Sequence, residues 1–215
     1  MTHPERTYLP AAGHDWALPL YDPLVKLMGA ERAKRALLDQ AALQPTHRVL
    51  DTGCGTGTLA VLIKRLYFAA EVVGIDPDPK ALARARRKAA RAALPVRFDQ
   101  GFANELPYPD GSFDRVFSSF MFHHLPERVK EETPREVRRV LASGGSFHLL
   151  DFVRPEERSA SWWDRLVFSS PHFKDSFDSL ILTLLRQAGF ASSKKVKDAA
   201  IFFGLLHVSY YGASV

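Results

Sequence analysis

The sequence predicts an α/β fold: a mainly parallel sheet with helices packed on both faces. Three observations predict it. Strand patterns alternate with helical patterns from residue 47 to residue 152, and such alternation implies parallel strands joined by helical crossovers. A turn rich in glycine joins the first strand to the first crossover helix. A later segment, Phe113–Phe122, is uncharged except for Asp114 and Arg115, as expected of a strand covered on both faces.

The elements follow in order. His47–Asp51 reads as the first strand, and an apolar helix runs from about Thr58 to Tyr67. Glu71–Asp76 is the second strand, after which Asp78 and Pro79 supply an N-cap and a first-turn proline for a helix reaching about Ala93. Val96–Asp99 is a short third strand and Phe113–Phe122 the fourth. Thr133-Pro134-Arg135-Glu136 has the form of a capping box, opening a helix that stops near Gly144. Ser146–Phe152 is the fifth strand, and a helical stripe from Phe177 through Leu185 ends at Gly189. Ser193–Ala199 and Ile201–Tyr211 offer two last strands. Residues 1–46, with helical segments around Pro23–Met28 and Glu31–Leu43, are expected to form a helical lid over the ligand edge of a domain spanning 47–215.

Composition sets limits on function. The 215 residues are 46% hydrophobic and 25% charged, an ordinary globular balance that excludes intrinsic disorder. One cysteine, Cys54, excludes an intrachain disulfide and a multi-cysteine metal site, so no metal is expected. No secretory signal is seen, which places the protein in the cytoplasm. The last 17 residues, Ala199–Val215, are uncharged. They are too short and too polar for a spanning helix and read as strand, so no integral membrane segment is expected. The formal net charge is +5, and from Lys80 to Arg97 there are seven basic residues and no acidic one. Arg84, Arg87, Lys88 and Arg91 share one helical face. That face is read as solvated, with a phosphate-binding surface as the alternative, and nucleic acid is not an expected partner.

Ligands of parallel sheets sit beyond the carboxyl ends of the strands. There stands Asp51-Thr52-Gly53-Cys54-Gly55-Thr56-Gly57, a turn whose glycines allow close backbone approach to a ligand. Asp76 ends the next strand, 25 residues after Asp51. It is placed to accept hydrogen bonds from ribose hydroxyls, or to cap the following helix. Gly55-x-Gly57-x-x-Ala60 formally satisfies a dinucleotide fingerprint. The acid at 51 opposes that reading, because its charge suits a cationic ligand better than a pyrophosphate.

With these segments in view, the chain resembles the class I S-adenosylmethionine-dependent methyltransferases. The resemblance covers about Arg48–Phe190 and is carried by VLDTGCGTG (49–57), VVGIDPD (72–78), ELPYPDGSFDRVFSSFMFHHL (105–125) and RRVLASGGSFHLLDF (138–152). Its nearest flavour is the small-molecule branch that includes quinone-biosynthesis C-methyltransferases. The resemblance implies a Rossmann-like, doubly wound sheet of seven strands with the last antiparallel. It implies S-adenosylmethionine as cofactor and S-adenosylhomocysteine as product. Gly53, Gly55 and the intervening Cys54 would wrap the methionine part, with Asp51 nearby. Asp76 would hold the ribose, Pro77 would lie against the adenine, Phe102 and Ala103 would border its amino edge, and Ser118 and Ser119 would line the cofactor. The family often has an acid where this chain has Phe102, which leaves adenine to backbone groups at 102–103 or to Asn104.

The acceptor side is less legible. His123 and His124 follow the fourth strand, and His123 is the candidate base. Asp151 ends the fifth strand and could orient a substrate, or serve as a turn or cap residue. His14, Tyr21 and His172 are candidate acceptor contacts, and Trp162 and Trp163 form either an apolar substrate wall or packing beneath a lid. The expected reaction is in-line methyl transfer to a small apolar or aromatic acceptor. Ser118-Ser119-Phe120-Met121 stands where the resembling nucleobase amino-methyltransferases carry an Asn/Asp-Pro-Pro-Tyr/Phe motif. Two rivals remain: a cofactor-binding module without catalysis, and an NAD(P)-dependent oxidoreductase. Oligomeric state is not legible.

Overall fold

The computed structural model describes residues 29–153, 177–202 and 204–215. Helix α1 (Ala30–Asp39) leads into β1 (Arg48–Thr52), α2 (Thr58–Leu66), β2 (Glu71–Asp76), α3 (Pro79–Arg91) and β3 (Arg97–Gln100). Then come β4 (Phe113–Ser119), a 3-10 turn at Phe122–His124, α4 (Glu127–Val140) and β5 (Leu141–Phe152). Helix α5 (Phe177–Gln187) and strands β6 (Ser192–Ile201) and β7 (Leu206–Ser214) complete the described elements.

The strands form one seven-stranded sheet in the order β3-β2-β1-β4-β5-β7-β6. Strands β1 to β5 pair in parallel, and β7 runs antiparallel to both β5 and β6. The chain winds outward from β1 to β3, then returns to pair β4 on the other side of β1. That reversal opens a crevice beyond the carboxyl ends of β1 and β4. The register pairs Asp51 with Gly74 and with Phe117, and Ser119 with Leu150. The ends of β1, β2, β4 and β5 therefore lie along one edge.

Adjacent residues of a strand face opposite sides of the sheet, and the two apolar layers divide accordingly. Phe117 packs with Leu37, Ile63 and Leu82 of α1, α2 and α3. Its neighbour Val116 packs with Val137 of α4 and Ile181 of α5 on the other face. Helix α1 carries its apolar residues Ala33, Leu37 and Leu38 into the first layer, and Tyr210 of β7 donates its hydroxyl to the Ala33 carbonyl.

Three element boundaries depart from the sequence reading. The capping box at Thr133 does not start a helix: α4 begins at Glu127, after Pro126, and Pro134 lies inside it. The Thr133 hydroxyl donates back to the Val129 carbonyl at 2.7 Å. Glu136 is engaged by the Leu106 N–H and by Arg139 rather than by the Thr133 backbone. Strand β4 stops at Ser119, three residues early, because Phe120 takes a left-handed backbone (φ +57°) and turns the chain into the 3-10 segment. The tail is strand, as expected. Its break falls later, where the Gly204 N–H closes on the Ile201 carbonyl, so β7 runs from Leu206.

Candidate functional site

The glycine turn is held from beneath by β2. The Cys54 N–H bonds the Ile75 carbonyl (3.0 Å), and the Gly55 N–H bonds Oδ2 of Asp76 (2.8 Å). Gly53 has φ +63°, and a Cβ there would lie 2.2 Å from Cγ of Met121. Only glycine lets the Met121 side chain rest against the loop. Gly57 (φ +72°) brings the start of α2 against Ala85 of α3 and the Phe98 ring. Cys54 contributes its backbone: its thiol is packed inward, where a Cβ on Gly74 would be 2.9 Å away. Burial pushes the thiol pKa well up, so it is a poor nucleophile.

Asp51 and Asp76 are both buried, and they differ in how they are satisfied. Asp76 accepts from Gly55 through Oδ2 and from the Asp78 N–H through Oδ1 (2.9 Å). The two bonds fix its plane and leave each oxygen a further lone pair. The N-cap of α3 is Asp78, whose Oδ1 accepts from the Lys80 N–H, so Asp76 is not the capping residue. Asp51 is 1% exposed. Its Oδ2 accepts from the Ala60 N–H at 3.1 Å, and its Oδ1 has no hydrogen-bond partner. Burial raises its pKa to about 7, against the opposing pull of the Lys34 charge and the Ala60 N–H. A buried carboxylate with one orphan oxygen is set to receive a cation.

Lys34 was not singled out in the sequence. It stands on the buried face of α1 among Ala30, Ala33, Leu37 and Leu38, is 9% exposed, and lies 6.0 Å over the Phe120 ring. A lysine interrupting an apolar helical stripe was the available signal. At the end of β4, the Ser118 hydroxyl is buried with no hydrogen-bond partner, and Ser119 is half-buried. Pro77 accepts a bond from Gln100 through its carbonyl. Phe102 and Ala103 lie half-buried in the turn after β3, where Phe102 bridges to Glu105. Asn104, the alternative adenine reader, donates to Glu132 of α4 instead (2.8 Å).

The structure joins two candidates that the sequence kept apart. His123 and Asp151 lie beyond β4 and β5, with Nδ1 of His123 2.5 Å from Oδ1 of Asp151. Oδ2 of the same carboxylate accepts from the His123 backbone N–H (3.0 Å), and Oδ1 also accepts from the Phe152 N–H (2.8 Å). The Phe152 ring stands edge-on to the imidazole at 5.3 Å and tilts against Phe120 at 4.8 Å. His123 and His124 follow closely on Met121, which touches Gly53, so this pair adjoins the glycine loop. His14, Tyr21, His172, Trp162 and Trp163 lie outside the described residues.

A switch-point crevice, a glycine loop, a ribose-type carboxylate and a cation-seeking carboxylate define an enzyme that holds a positively charged nucleoside cofactor and transfers a group from it. A family model described as a methyltransferase domain matches residues 49–145. A demethylmenaquinone methyltransferase from Thermus thermophilus is 43% identical over 153 residues, spanning 70% of this chain and 69% of that protein. A ubiquinone/menaquinone biosynthesis C-methyltransferase from Geobacter is 31% identical over 182 residues, 82% of this chain and 71% of that protein. The fold matches a SAM-dependent methyltransferase from Aquifex aeolicus with a TM-score of 0.66 at 21% identity, covering 85% of this chain and 89% of the other. The chain belongs to the class I S-adenosylmethionine-dependent methyltransferases, in the lineage that resembles quinone-biosynthesis enzymes. It is an enzyme acting on small molecules with S-adenosylmethionine as its cofactor. The residues fit that cofactor: the orphan Oδ1 of Asp51 suits its ammonium, and the unpartnered Ser118 hydroxyl lies along the same edge. Among the described residues, no helix is long and apolar enough to cross a membrane.

Proposed function

We propose that this methyltransferase alkylates a small aromatic acceptor of the hydroquinone type, using His123 as general base and Asp151 as its positioning partner. The observation that carries the reading is the His123–Asp151 pair beside the glycine loop. The names of the quinone-biosynthesis relatives support the acceptor class.

When bound, S-adenosylmethionine supplies a methyl group on positively charged sulfur, and the leaving thioether is neutral. Asp51 would accept from the ammonium of its amino-acid end, and Lys34 would face the carboxylate. Asp76 would take both ribose hydroxyls, with Pro77, Phe102 and Ala103 around the adenine and Ser118 and Ser119 along the edge. Cys54 and Gly55 offer backbone groups only. These residues hold the methyl in line with the acceptor, and orientation of this kind accounts for up to about 7–11 kcal/mol of barrier reduction.

His123 supplies the proton chemistry. With its Nδ1–H held by Asp151, the neutral imidazole carries its lone pair on Nε2. Nε2 takes the proton that the acceptor hydroxyl or ring carbon must shed, and the acceptor's electron pair becomes the new bond to carbon. Asp151 then stabilises the imidazolium. Phe120 and Phe152 give the acceptor ring an apolar wall. His14, Tyr21 and His172 are assigned to the acceptor side, residues 1–46 to a cover over this edge, and the reaction to the cytoplasm.

The test is labelled-methyl transfer to a reduced naphthoquinone lacking its ring methyl. His123→Gln should lower kcat by about 10²–10⁴-fold while S-adenosylhomocysteine affinity stays unchanged. Undiminished kcat in that variant would remove the base from the mechanism.

A further inference from the structure

Helices α2 and α3 enclose a second cavity, of about 460 Å³, lined by Arg65, Arg84, Arg87, Lys88, Arg91 and Ala92. No carboxylate lines it. Among the described residues, the guanidinium groups of Arg65, Arg84, Arg87 and Arg91 have no ion-pair partner. Lys88 is tied in place by bonds from its ammonium to the Thr56 and Thr58 hydroxyls (3.2 and 2.7 Å). Leu82, Ala85 and Ala89 bury the opposite side of α3, which fixes this face outward. Cations crowded at one groove repel one another within a screening length of about 8 Å. An anionic ligand relieves that repulsion.

What lies beside the groove says which anion. Arg65 is followed by Leu66, 47% exposed, and Phe68, 66% exposed. Among the described residues these two, with Val196, are the exposed large hydrophobic side chains. The Lys64 ammonium sits 5.4 Å over the Phe68 ring. Apolar side chains next to a cluster of arginines are the signature of a surface that enters the headgroup layer of an anionic bilayer. A free phosphate ligand would have no use for Leu66 and Phe68.

We propose that the α2–α3 face docks this enzyme on membranes rich in anionic phospholipid, with headgroup phosphates in the arginine groove and Phe68 and Leu66 in the interfacial layer. Both helices start at the cofactor edge and run away from it. Arg65 and Arg91 therefore lie toward the far end of the sheet, and docking leaves the cofactor crevice uncovered. The proposal is independent of the acceptor and of the base.

The experiment is sedimentation of the full chain with phosphatidylcholine vesicles, with and without phosphatidylglycerol. Binding is expected only with phosphatidylglycerol and should fall steeply with added salt. Neutralising one arginine should weaken it roughly five-fold, and the triple variant Arg84→Gln/Arg87→Gln/Arg91→Gln about a hundred-fold. Phe68→Ser should weaken it about ten-fold with charge unchanged. Unaltered S-adenosylhomocysteine affinity shows that each variant is folded. No binding, equal binding to both vesicles, or binding untouched by the triple variant overturns the proposal. Tighter binding to random-sequence duplex DNA than to vesicles, insensitive to Phe68→Ser, overturns it in favour of a nucleic-acid surface.

Discussion

Asp51→Asn should make the empty protein more stable and the cofactor complex weaker. The buried carboxyl has its pKa raised to about 7 from an ordinary 3.8, a difference of about 3 units, each worth about 1.4 kcal/mol. A raised folded-state pKa gives stability that is complete below 3.8 and is lost as pH rises through 7. Above pH 7 the ionised Asp51 therefore costs the empty fold up to about 4 kcal/mol. Asparagine keeps the bond from the Ala60 N–H and removes the charge, but it leaves an amide N–H without a partner, returning about 1–3 kcal/mol. The net gain is about 1–3 kcal/mol, or a rise in Tm of a few degrees at pH 8. For the ligand, losing a charge-assisted bond should weaken binding about ten- to a hundred-fold. Calorimetric titration with S-adenosylhomocysteine reads this directly. Wild-type affinity should rise with pH up to about 7, because the carboxylate is the binding form, and the variant should lose that slope. A variant that is less stable when empty and binds as tightly as wild type would refute the reasoning.

Three further outcomes follow from the same coordinates. Lys34→Met should weaken S-adenosylhomocysteine, which carries the amino-acid end, and leave 5′-methylthioadenosine, which lacks it, unchanged by calorimetry; equal losses for both would remove Lys34 from that role. Gly57→Ala places a Cβ 2.7 Å from Ala85 and 2.9 Å from the Phe98 ring on a backbone at φ +72°, and should cost about 1–3 kcal/mol in denaturant unfolding. His148, buried between Gln40 and Ser146 and held neutral with a pKa of about 4, should cost about 3 kcal/mol of stability as pH falls from 6.5 to 4, because the unfolded chain binds its proton first. His148→Gln should remove that component from the pH–stability curve.

The parts legible in the sequence were those written locally. The loop from Asp51 to Gly57 and the run from Glu71 through Asp78 each place strand end, turn and helix start within a few residues, so their geometry follows from adjacent side chains. The His123–Asp151 pair was not legible as a pair. The two lie 28 residues apart and meet only because β4 and β5 pair with Ser119 beside Leu150. Lys34 was hidden for a similar reason: its neighbour Asp51 belongs to another element, and only packing of α1 on the sheet brings them near. The start of α4 was misjudged because Thr133-Pro134-Arg135-Glu136 satisfies a local rule, whereas Glu136 is drawn to Leu106 and Arg139 by tertiary structure.

Everything in the site rests on what the glycine loop grips. The direct measurement is isothermal titration of the purified full chain with S-adenosylhomocysteine, NAD and NADP in turn. The account predicts saturable one-to-one binding of S-adenosylhomocysteine, weakened in Asp76→Ala, and no heat of binding with either dinucleotide. Binding of NAD or NADP with none of S-adenosylhomocysteine would contradict it.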